Sequence, residues 1–138
     1  MLEGTMKKPK TIPQLKKQAL DLYSEFFKLK AFSEDRLHCF TCDSPLQLHS
    51  CNTHLGHYLS RGAYPGLTFH PDNSRVQCFR CNVHLHGNTI EFRQRLIEEI
   101  GVYAVEELEG MRHNQIKWSR SELNDMIILF KTLISDML

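Results

Sequence analysis

Hydrophobic residues recur at helical spacing near both ends of this chain. Over residues 13–31 the apolar positions follow a 4-3-4-3 spacing that places them on one stripe of a helix: Leu15, Ala19, Leu22, Phe26 and Leu29. Pro13 suits the first turn of this helix, and Ser33 begins the polar segment that ends it. Residues 89–100 carry a second amphipathic pattern, which Gly101 ends. The pattern therefore predicts a helix on each side of the central part of the chain.

Two further helices are predicted after Gly101. A short one covers residues 102–110, and a longer one begins at a capping box formed by Ser119 and Glu122. The longer helix carries an apolar stripe: Leu123, Met126, Ile127, Phe130, Leu133, Ile134 and Met137. We expect these helices to pack on the rest of the domain or on a second copy of the chain.

Residues 36–88 lack sustained periodicity and are rich in turn-forming residues. Short apolar runs between these turns predict a short hairpin, a long loop and the start of a helix. A segment of this composition cannot bury enough apolar surface to fold by itself. A structural metal would supply the missing stabilisation.

Four of the five cysteines form two Cys-x-x-Cys pairs: Cys39 with Cys42, and Cys78 with Cys81. Each pair brings two thiolates to one tight turn, and two pairs complete a tetrahedral zinc site with bonds of about 2.3 Å. The odd cysteine count and the lack of a signal peptide argue against a secreted disulfide framework. We therefore predict one structural zinc per chain in a reducing cytoplasm. A redox role for the pairs is the alternative, and Cys51 is left over.

Composition indicates one globular domain, since 138 residues with 41% hydrophobic and 24% charged residues are ordinary for a folded protein. No apolar run approaches the ~20 residues of a membrane span, so we expect no membrane partner. The net charge of +1 hides a gradient. Residues 6–30 hold seven lysines and two acidic residues, a net charge of +5, whereas residues 89–138 have a net charge of −3.

The basic N-terminal segment predicts contacts with DNA phosphates that are independent of sequence. Its candidate residues are Lys7, Lys8, Lys10, Lys16 and Lys17, and the further candidates in the chain are Arg61, Arg75 and Arg80. A solvated basic helix without a ligand is the alternative.

The residues between and just after the two cysteine pairs resemble the HNH, or ββα-metal, nuclease motif. In order they are Gly56-His57, Asn73, Asn82 directly after Cys81, then His84 and His86. The resemblance implies that His57 is a general base on water, and that Asn73 pins the loop that orients it. A neutral imidazole with a pKa near 7 can accept this proton. A divalent cation, Mg²⁺ or Mn²⁺, would offset charge on the phosphate.

Longer segments are similar to the NinG family of phage recombination endonucleases, the lambda Rap type: GHYLSRG, LTFHPDNSRVQCFRCN, HGNTIEF and IGVYAVEELE. The similarity extends from about Pro9 to the C-terminus. It implies an α+β fold with a zinc-bound ββα core over residues 36–100, a basic helix over 6–35 and a helical extension over 101–138. Residues 1–5 are interpreted as a cloning scar.

The function implied by this resemblance is cleavage of branched recombination intermediates, such as Holliday junctions and D-loops, by metal-dependent hydrolysis. We expect the enzyme to be a homodimer in the cytoplasm of a phage-infected bacterium. By the same resemblance, Asn82 matches a ligand of the catalytic cation. Gly56 departs from the pattern, because many HNH enzymes have a metal-binding side chain there. His86 lies four residues after Asn82, so the two share a face if this segment is helical. His86 is therefore the candidate second ligand, with His54, His84 or water as substitutes.

Two functions from other classes remain open at this point. A zinc-stabilised DNA-binding protein that assists recombination without cleavage would keep the cysteines and the basic helix, but it would not need His57, Asn73 and Asn82. A phage protein that binds a host protein is suggested only by the acidic C-terminal helices.

Overall fold

The computed structural model describes residues 7–114 and 116–138, so the predicted cloning scar lies outside the described residues. The regular elements, in chain order, are α1 (Ile12–Ser33), β1 (Thr53–His57), β2 (Ser74–Cys78), α2 (Thr89–Ile100), α3 (Val102–Gly110) and α4 (Arg120–Met137). A single π-helical turn spans Arg80–His84, between β2 and α2. The predicted helices are confirmed to within two residues at each end, and the class is α+β.

The sheet of the described residues is one antiparallel pair. β1 and β2 are registered so that Thr53 lies opposite Cys78 and His57 lies opposite Ser74. Their connection, residues 58–73, contains the short 3₁₀ helices Pro65–Leu67 and Pro71–Asn73. The hairpin therefore carries a long, structured loop next to His57, as the turn residues of this segment predict.

α1 and α4 pack against each other through the buried side chains of Leu15, Ala19, Leu123 and Ile127. The capping box predicted at the start of α4 is confirmed, because the Ser119 hydroxyl accepts the Glu122 amide at 3.1 Å. α1 begins with a second capping box, Thr11 with Gln14, which the sequence analysis missed. The C-terminal helix is thus held on the N-terminal helix of the same chain.

α1 is also fixed to the hairpin, which determines where its lysines lie. The ring of Tyr23 is buried, and its hydroxyl is 2.8 Å from the Ser74 hydroxyl at the start of β2. Its edge meets Phe69 of the connecting loop and Phe130 of α4, with ring centroids 5.5 and 5.4 Å apart. Tyr23 is therefore the point at which α1, β2 and α4 meet.

α2 and α3 form a second small core on the other side of the hairpin, around Phe92, Leu96 and Val105. A polar bridge ties this core to the connecting loop. The Tyr58 hydroxyl donates to Glu109 at 2.6 Å, and Glu109 is paired with Arg93 at 3.0 Å. Within the described residues, no helix is both long and apolar enough to cross a membrane.

Candidate metal centre and basic cleft

The four paired cysteines converge on one point, as their spacing predicts. Their Sγ atoms all lie within 4.8 Å of one another, and those of Cys42 and Cys78 are 3.7 Å apart. A tetrahedral zinc with Zn–S bonds of about 2.3 Å requires sulfurs about 3.8 Å apart, so the four side chains fit this ion. The cluster is closed, because all four ligand positions would be taken by sulfur.

The surroundings of the sulfurs suit thiolates bound to a cation. The backbone amide of Cys81 lies 3.4 Å from the Cys78 sulfur, and the Asn88 side-chain amide lies 3.8 Å from the Cys81 sulfur. Burial and hydrogen bonds with the neighbouring thiols raise the pKa of Cys81 to about 12. Four thiolates in this volume would repel one another, and a bound cation would offset that repulsion.

The cluster joins the segment before β1 to the end of the hairpin. Cys39 and Cys42 lie on a turn in which the Asp43 amide donates to the Cys39 carbonyl at 2.9 Å. Cys78 ends β2, and Cys81 lies in the π-helical turn. The small apolar cluster here consists mainly of these sulfurs, with Leu46 and Val76. This composition agrees with the prediction that a metal stabilises residues 36–88.

A cleft of about 730 Å³ lies between the start of α1, the end of β1, the connecting loop and the turn after Cys81. It brings together residues that are far apart in the sequence: Lys16 and Lys17 from α1, His57 from β1, Ser60, Arg61 and Thr68 from the loop, and Asn82, His86 and Gly87 from the turn. We call this the basic cleft. No aspartate or glutamate is among the described residues that line it.

His57 ends β1 with a defined tautomer. Its Nε2 lies 2.9 Å from the carbonyl oxygen of Thr68, which can only accept a hydrogen bond. Nε2 therefore carries the proton, and Nδ1 of the neutral ring keeps a lone pair. Burial is the main cause that lowers the pKa of His57 to about 4; the Thr68 bond opposes it and the Arg61 charge adds to it. His57 is thus neutral near neutral pH, and its pKa lies below the value near 7 that is expected of a general base from the sequence.

Asn73 is completely buried behind His57 and contacts only protein. Its Oδ1 accepts the Leu59 amide at 2.8 Å, and its Nδ2 donates to the carbonyl oxygens of Leu59 at 2.9 Å and Leu67 at 3.2 Å. These bonds join both halves of the connecting loop. Asn73 is therefore a positioning residue, since it fixes the loop that contains Thr68, the partner of His57.

Asn82 is oriented by a chain of hydrogen bonds that begins at the Cys51 carbonyl. This oxygen accepts from His54 Nε2 at 3.0 Å, so His54 Nδ1 must be an acceptor, and it lies 3.0 Å from Asn82 Nδ2. The amide nitrogen of Asn82 faces His54, and its Oδ1 is left to bind a ligand. Both ring nitrogens of His54 are already hydrogen bonded. His54 would therefore orient Asn82 and would not itself bind a cation that Asn82 holds.

One geometric prediction about this turn is wrong. Asn82 and His86 do not share a face of an α-helix, because the π-helical turn ends at His84 and His86 has left-handed backbone, with φ +50°. The turn is closed by the Leu85 amide donating to the Arg80 carbonyl at 2.9 Å. Both side chains still line the basic cleft. His84 is exposed and lies against Phe79 instead.

The predicted DNA-binding residues fall into separate groups. Lys16, Lys17 and Arg61 line the basic cleft. Lys7 and Lys8 precede α1 and are exposed, and Lys10 donates to Gln18 at 2.6 Å. Arg80 is exposed beside Cys81. Arg75 is engaged inside the protein instead, on another face.

Arg75 has partners that explain its position. Its guanidinium pairs with Glu99 at 3.0 Å, donates to the Pro71 carbonyl at 2.9 Å and lies over the Phe40 ring. Its side chain is only 16% exposed. The structure therefore does not bring Arg75 together with Lys16, Lys17 and Arg61.

Comparison with known proteins shows the family to which the sequence belongs. The family sequence model described as Bacteriophage Lambda NinG protein matches residues 5–137. The chain is 33% identical over 109 residues to the ninG proteins of Salmonella phage P22 and Escherichia phage lambda, covering 79% of this chain and 53% of each relative. Over 94 residues it is 37% identical to ninG of Enterobacteria phage H19B, 68% of this chain and 46% of that relative.

The chain therefore spans about half the length of the curated relatives it matches. No solved structure gives a significant match to it.

Proposed function

Because the chain belongs to the NinG family of bacteriophage proteins, we propose that it is a zinc-stabilised, metal-dependent endonuclease that hydrolyses phosphodiester bonds in branched DNA. The observation that carries the proposal is the state of His57. This imidazole is neutral and oriented, and it lines a cleft that Lys16, Lys17 and Arg61 also line. A hydrolase needs a base beside a surface that binds the negatively charged substrate.

The residues of the basic cleft have complementary roles in this proposal. Lys16, Lys17 and Arg61 bind the DNA backbone by charge. His57 Nδ1 takes a proton from water as the water oxygen forms a bond to phosphorus. The bond from phosphorus to the leaving sugar oxygen breaks with its electron pair on that oxygen, which takes a proton from solvent water. Thr68 holds the opposite nitrogen of the ring. Asn73 holds the loop that carries Thr68.

A divalent cation would be bound by neutral groups of the protein, namely Oδ1 of Asn82 and the His86 ring. When bound, it supplies electrostatic stabilisation of the charge that develops on the phosphate oxygens. Since no carboxylate is among the described residues that line the cleft, the phosphates of the substrate would supply the anionic ligands. An imidazole and an amide favour Mn²⁺ over Mg²⁺, which prefers an all-oxygen site. Tight cation binding should therefore require DNA.

Cleavage of a labelled four-way junction by the zinc-loaded protein tests the proposal. With Mn²⁺ or Mg²⁺ added, the parent protein should cut the junction, and His57→Ala should cut it at least ~10²-fold more slowly. His49→Ala is the matched control, because His49 is exposed and lies outside the basic cleft. Binding of the junction should be retained by both variants.

The Asn82→Ala variant distinguishes a loss of cation binding from a loss of the general base. Its cleavage should be lost at low Mn²⁺ and partly recovered in excess Mn²⁺, whereas His57→Ala should not recover. A His57→Ala variant that cuts at the parent rate would contradict the endonuclease proposal. His86→Ala tests the second ligand: cutting at the parent rate would leave His84 or water in that position.

A zinc-stabilised DNA-binding protein without nuclease activity is the second candidate. The observation that favours it is the lack of any carboxylate among the described lining residues of the cleft. It predicts that the parent protein binds junctions and that no divalent cation produces cleavage.

We also propose that the protein acts as a homodimer in the cytoplasm of the infected bacterium. Resolving a junction requires cuts in two strands, which a twofold arrangement of two sites provides. α4 presents Ile128 and Leu129 to solvent, 64% and 51% exposed, on a face that a second copy could cover. Light scattering after size-exclusion chromatography tests this, and Ile128→Glu should give the monomer.

A further inference from the structure

Phe79 is a large apolar side chain at the surface beside the basic cleft. It follows Cys78 directly and is 41% exposed, and the nearby Val83 and Leu85 are 43% and 40% exposed. We call these three residues the apolar rim. About two fifths of the surface of each of these residues is exposed to solvent. They are therefore available to a ligand.

The ring of Phe79 is held in place before any ligand arrives. The imidazoles of His54 and His84 pack against it nearly at right angles, with centroids 5.5 and 5.0 Å away. Its backbone amide donates to the carbonyl oxygen and the side-chain oxygen of Asn52, at 3.2 and 3.0 Å. A ring fixed in this way loses little conformational entropy when a flat partner stacks on it.

The apolar rim is continuous with the basic cleft. His54, which contacts the Phe79 ring, is hydrogen bonded to Asn82, and Asn82 lines the cleft together with His57. Arg80 is the next residue along the chain and is exposed. A nucleic acid strand that follows the basic cleft from His57 towards Asn82 therefore approaches a fixed aromatic ring and a cation.

We propose that the apolar rim, centred on Phe79, is a subsite for an unstacked nucleobase of the DNA strand in the basic cleft. Aromatic side chains bind single-stranded bases by stacking, and apolar side chains at a bend occupy opened base steps. The basic surroundings favour a nucleic acid over an apolar peptide as the occupant. A linear duplex has no free base to offer, whereas a branch point does, so this subsite makes the protein selective for branched DNA.

The proposal rests on the proposed function only in requiring that DNA occupy the basic cleft. The test uses zinc-loaded full chain carrying His57→Ala, so that binding is measured without cutting. The probes are a four-way junction with 2-aminopurine at the branch point and a linear duplex of the same sequence. Phe79→Ala should weaken junction binding by ~10-fold or more. It should also abolish the quenching of 2-aminopurine, while duplex binding changes less than twofold.

Two further variants identify stacking as the cause. Phe79→Trp should restore junction binding and quenching, whereas Phe79→Leu, which keeps apolar bulk without an aromatic face, should behave like Phe79→Ala. Phe32→Ala is the matched control, since Phe32 is 60% exposed near the end of α1, away from the cleft. Zinc content is measured for each variant, and Phe79→Leu keeps the comparison valid if Phe79→Ala loses zinc.

Each outcome has a separate meaning. Equal losses on junction and duplex, or no loss on either, would overturn the subsite. If Phe79→Leu weakens junction binding and the parent protein does not cleave the junction, the subsite is supported and the endonuclease proposal is contradicted. A parent protein that cuts junctions at a rate unaffected by Phe79→Leu would support the endonuclease and contradict the subsite. Failure to bind any DNA would overturn both.

Discussion

A side chain at position 56 would collide with the amide of Gln77 on the paired strand. An ideal Cβ built on Gly56 overlaps Oε1 of Gln77 and lies 2.6 Å from its Cδ. Gln77 is completely buried, and its Nε2 donates to Thr41 at 3.0 Å and to the Gly87 carbonyl at 2.9 Å. The residue before His57 is therefore glycine for a steric reason, and Gln77 connects the cysteine turn to the wall of the basic cleft.

Gly56→Ala should destabilise the protein by about 1–3 kcal/mol, the usual cost of overpacking a closed interior. The cost should fall when Gln77 is shortened, because Gln77→Ala removes the atoms that the new Cβ would meet. Gln77→Ala alone should also destabilise, since it leaves the Gly87 carbonyl without its partner. Urea unfolding of the zinc-loaded parent protein, the two single variants and the double variant measures these free energies.

Gly62→Ala is the control for this series, because a Cβ there meets nothing within 4 Å. It should change the free energy of unfolding by less than about 0.5 kcal/mol. If the effects of Gly56→Ala and Gln77→Ala were simply additive, the collision would not be the reason for the glycine.

Local patterns in the sequence were sufficient to predict the helices and the cysteine cluster. The apolar stripe of α1, the Ser119 capping box and the two Cys-x-x-Cys turns are all encoded within a few residues. Tertiary relationships were not predictable in this way. The amide of Gln77 that fills the space beside Gly56 comes from the paired strand, and nothing in a polar residue between Val76 and Cys78 identifies it as buried.

The same difference between local patterns and tertiary relationships explains which predictions about the site residues were wrong. Spacing of four residues placed Asn82 and His86 on one helical face, but the turn after Cys81 is π-helical and ends before His86. The charge of Arg75 suggested DNA binding, yet its partner Glu99 is 24 residues away on α2. Thr68 was missed because it acts through its backbone carbonyl, which any residue has.

Asn73→Ala should destabilise the connecting loop, because it removes all three side-chain bonds to Leu59 and Leu67. A buried group left without its partner costs about 1–3 kcal/mol, so with three such groups we expect a total loss of at least about 3 kcal/mol. Hydrogen exchange should become faster at the Leu59 amide in particular. The exposed Asn124 on α4 gives the control, Asn124→Ala, which should leave both quantities unchanged.

Cys42→Ser should lose the metal and lower the melting temperature, since Cys42 belongs to the cluster even though it is exposed. The parent protein should hold about one zinc per chain. Cys51→Ser is the matched control, because Cys51 is an exposed free cysteine that is not part of the cluster. Elemental analysis showing equal zinc in both variants would contradict the assignment of the four ligands.

The imidazole of His57 should remain neutral well below the usual histidine range. Burial lowers its pKa from 6.5 to about 4, so the folded protein binds this proton more weakly than the unfolded chain does. Its contribution to the free energy of unfolding is therefore fully present above pH 6.5 and is lost as the pH falls towards 4. Nitrogen-15 NMR of the histidine rings should show a neutral ring protonated on Nε2 at pH 6. A charged ring at that pH would contradict the burial of His57.

The salt dependence of junction binding should depend on the lysines and arginine that line the basic cleft. Each phosphate contact releases condensed counterions, so losing one contact should reduce the slope of log K against log salt by about 1. Lys16→Gln and Arg61→Gln should each have this effect, since both residues line the cleft. Lys17 is paired with Asp21 at 2.8 Å, but this pair is exposed and weak enough for a phosphate to replace it.

Lys131→Gln, a change at an exposed position of α4 outside the cleft, should leave the slope unchanged. If the slope fell instead with Lys8→Gln and Lys10→Gln while Lys16→Gln and Arg61→Gln had no effect, DNA would bind the segment before α1 and not the cleft that contains His57.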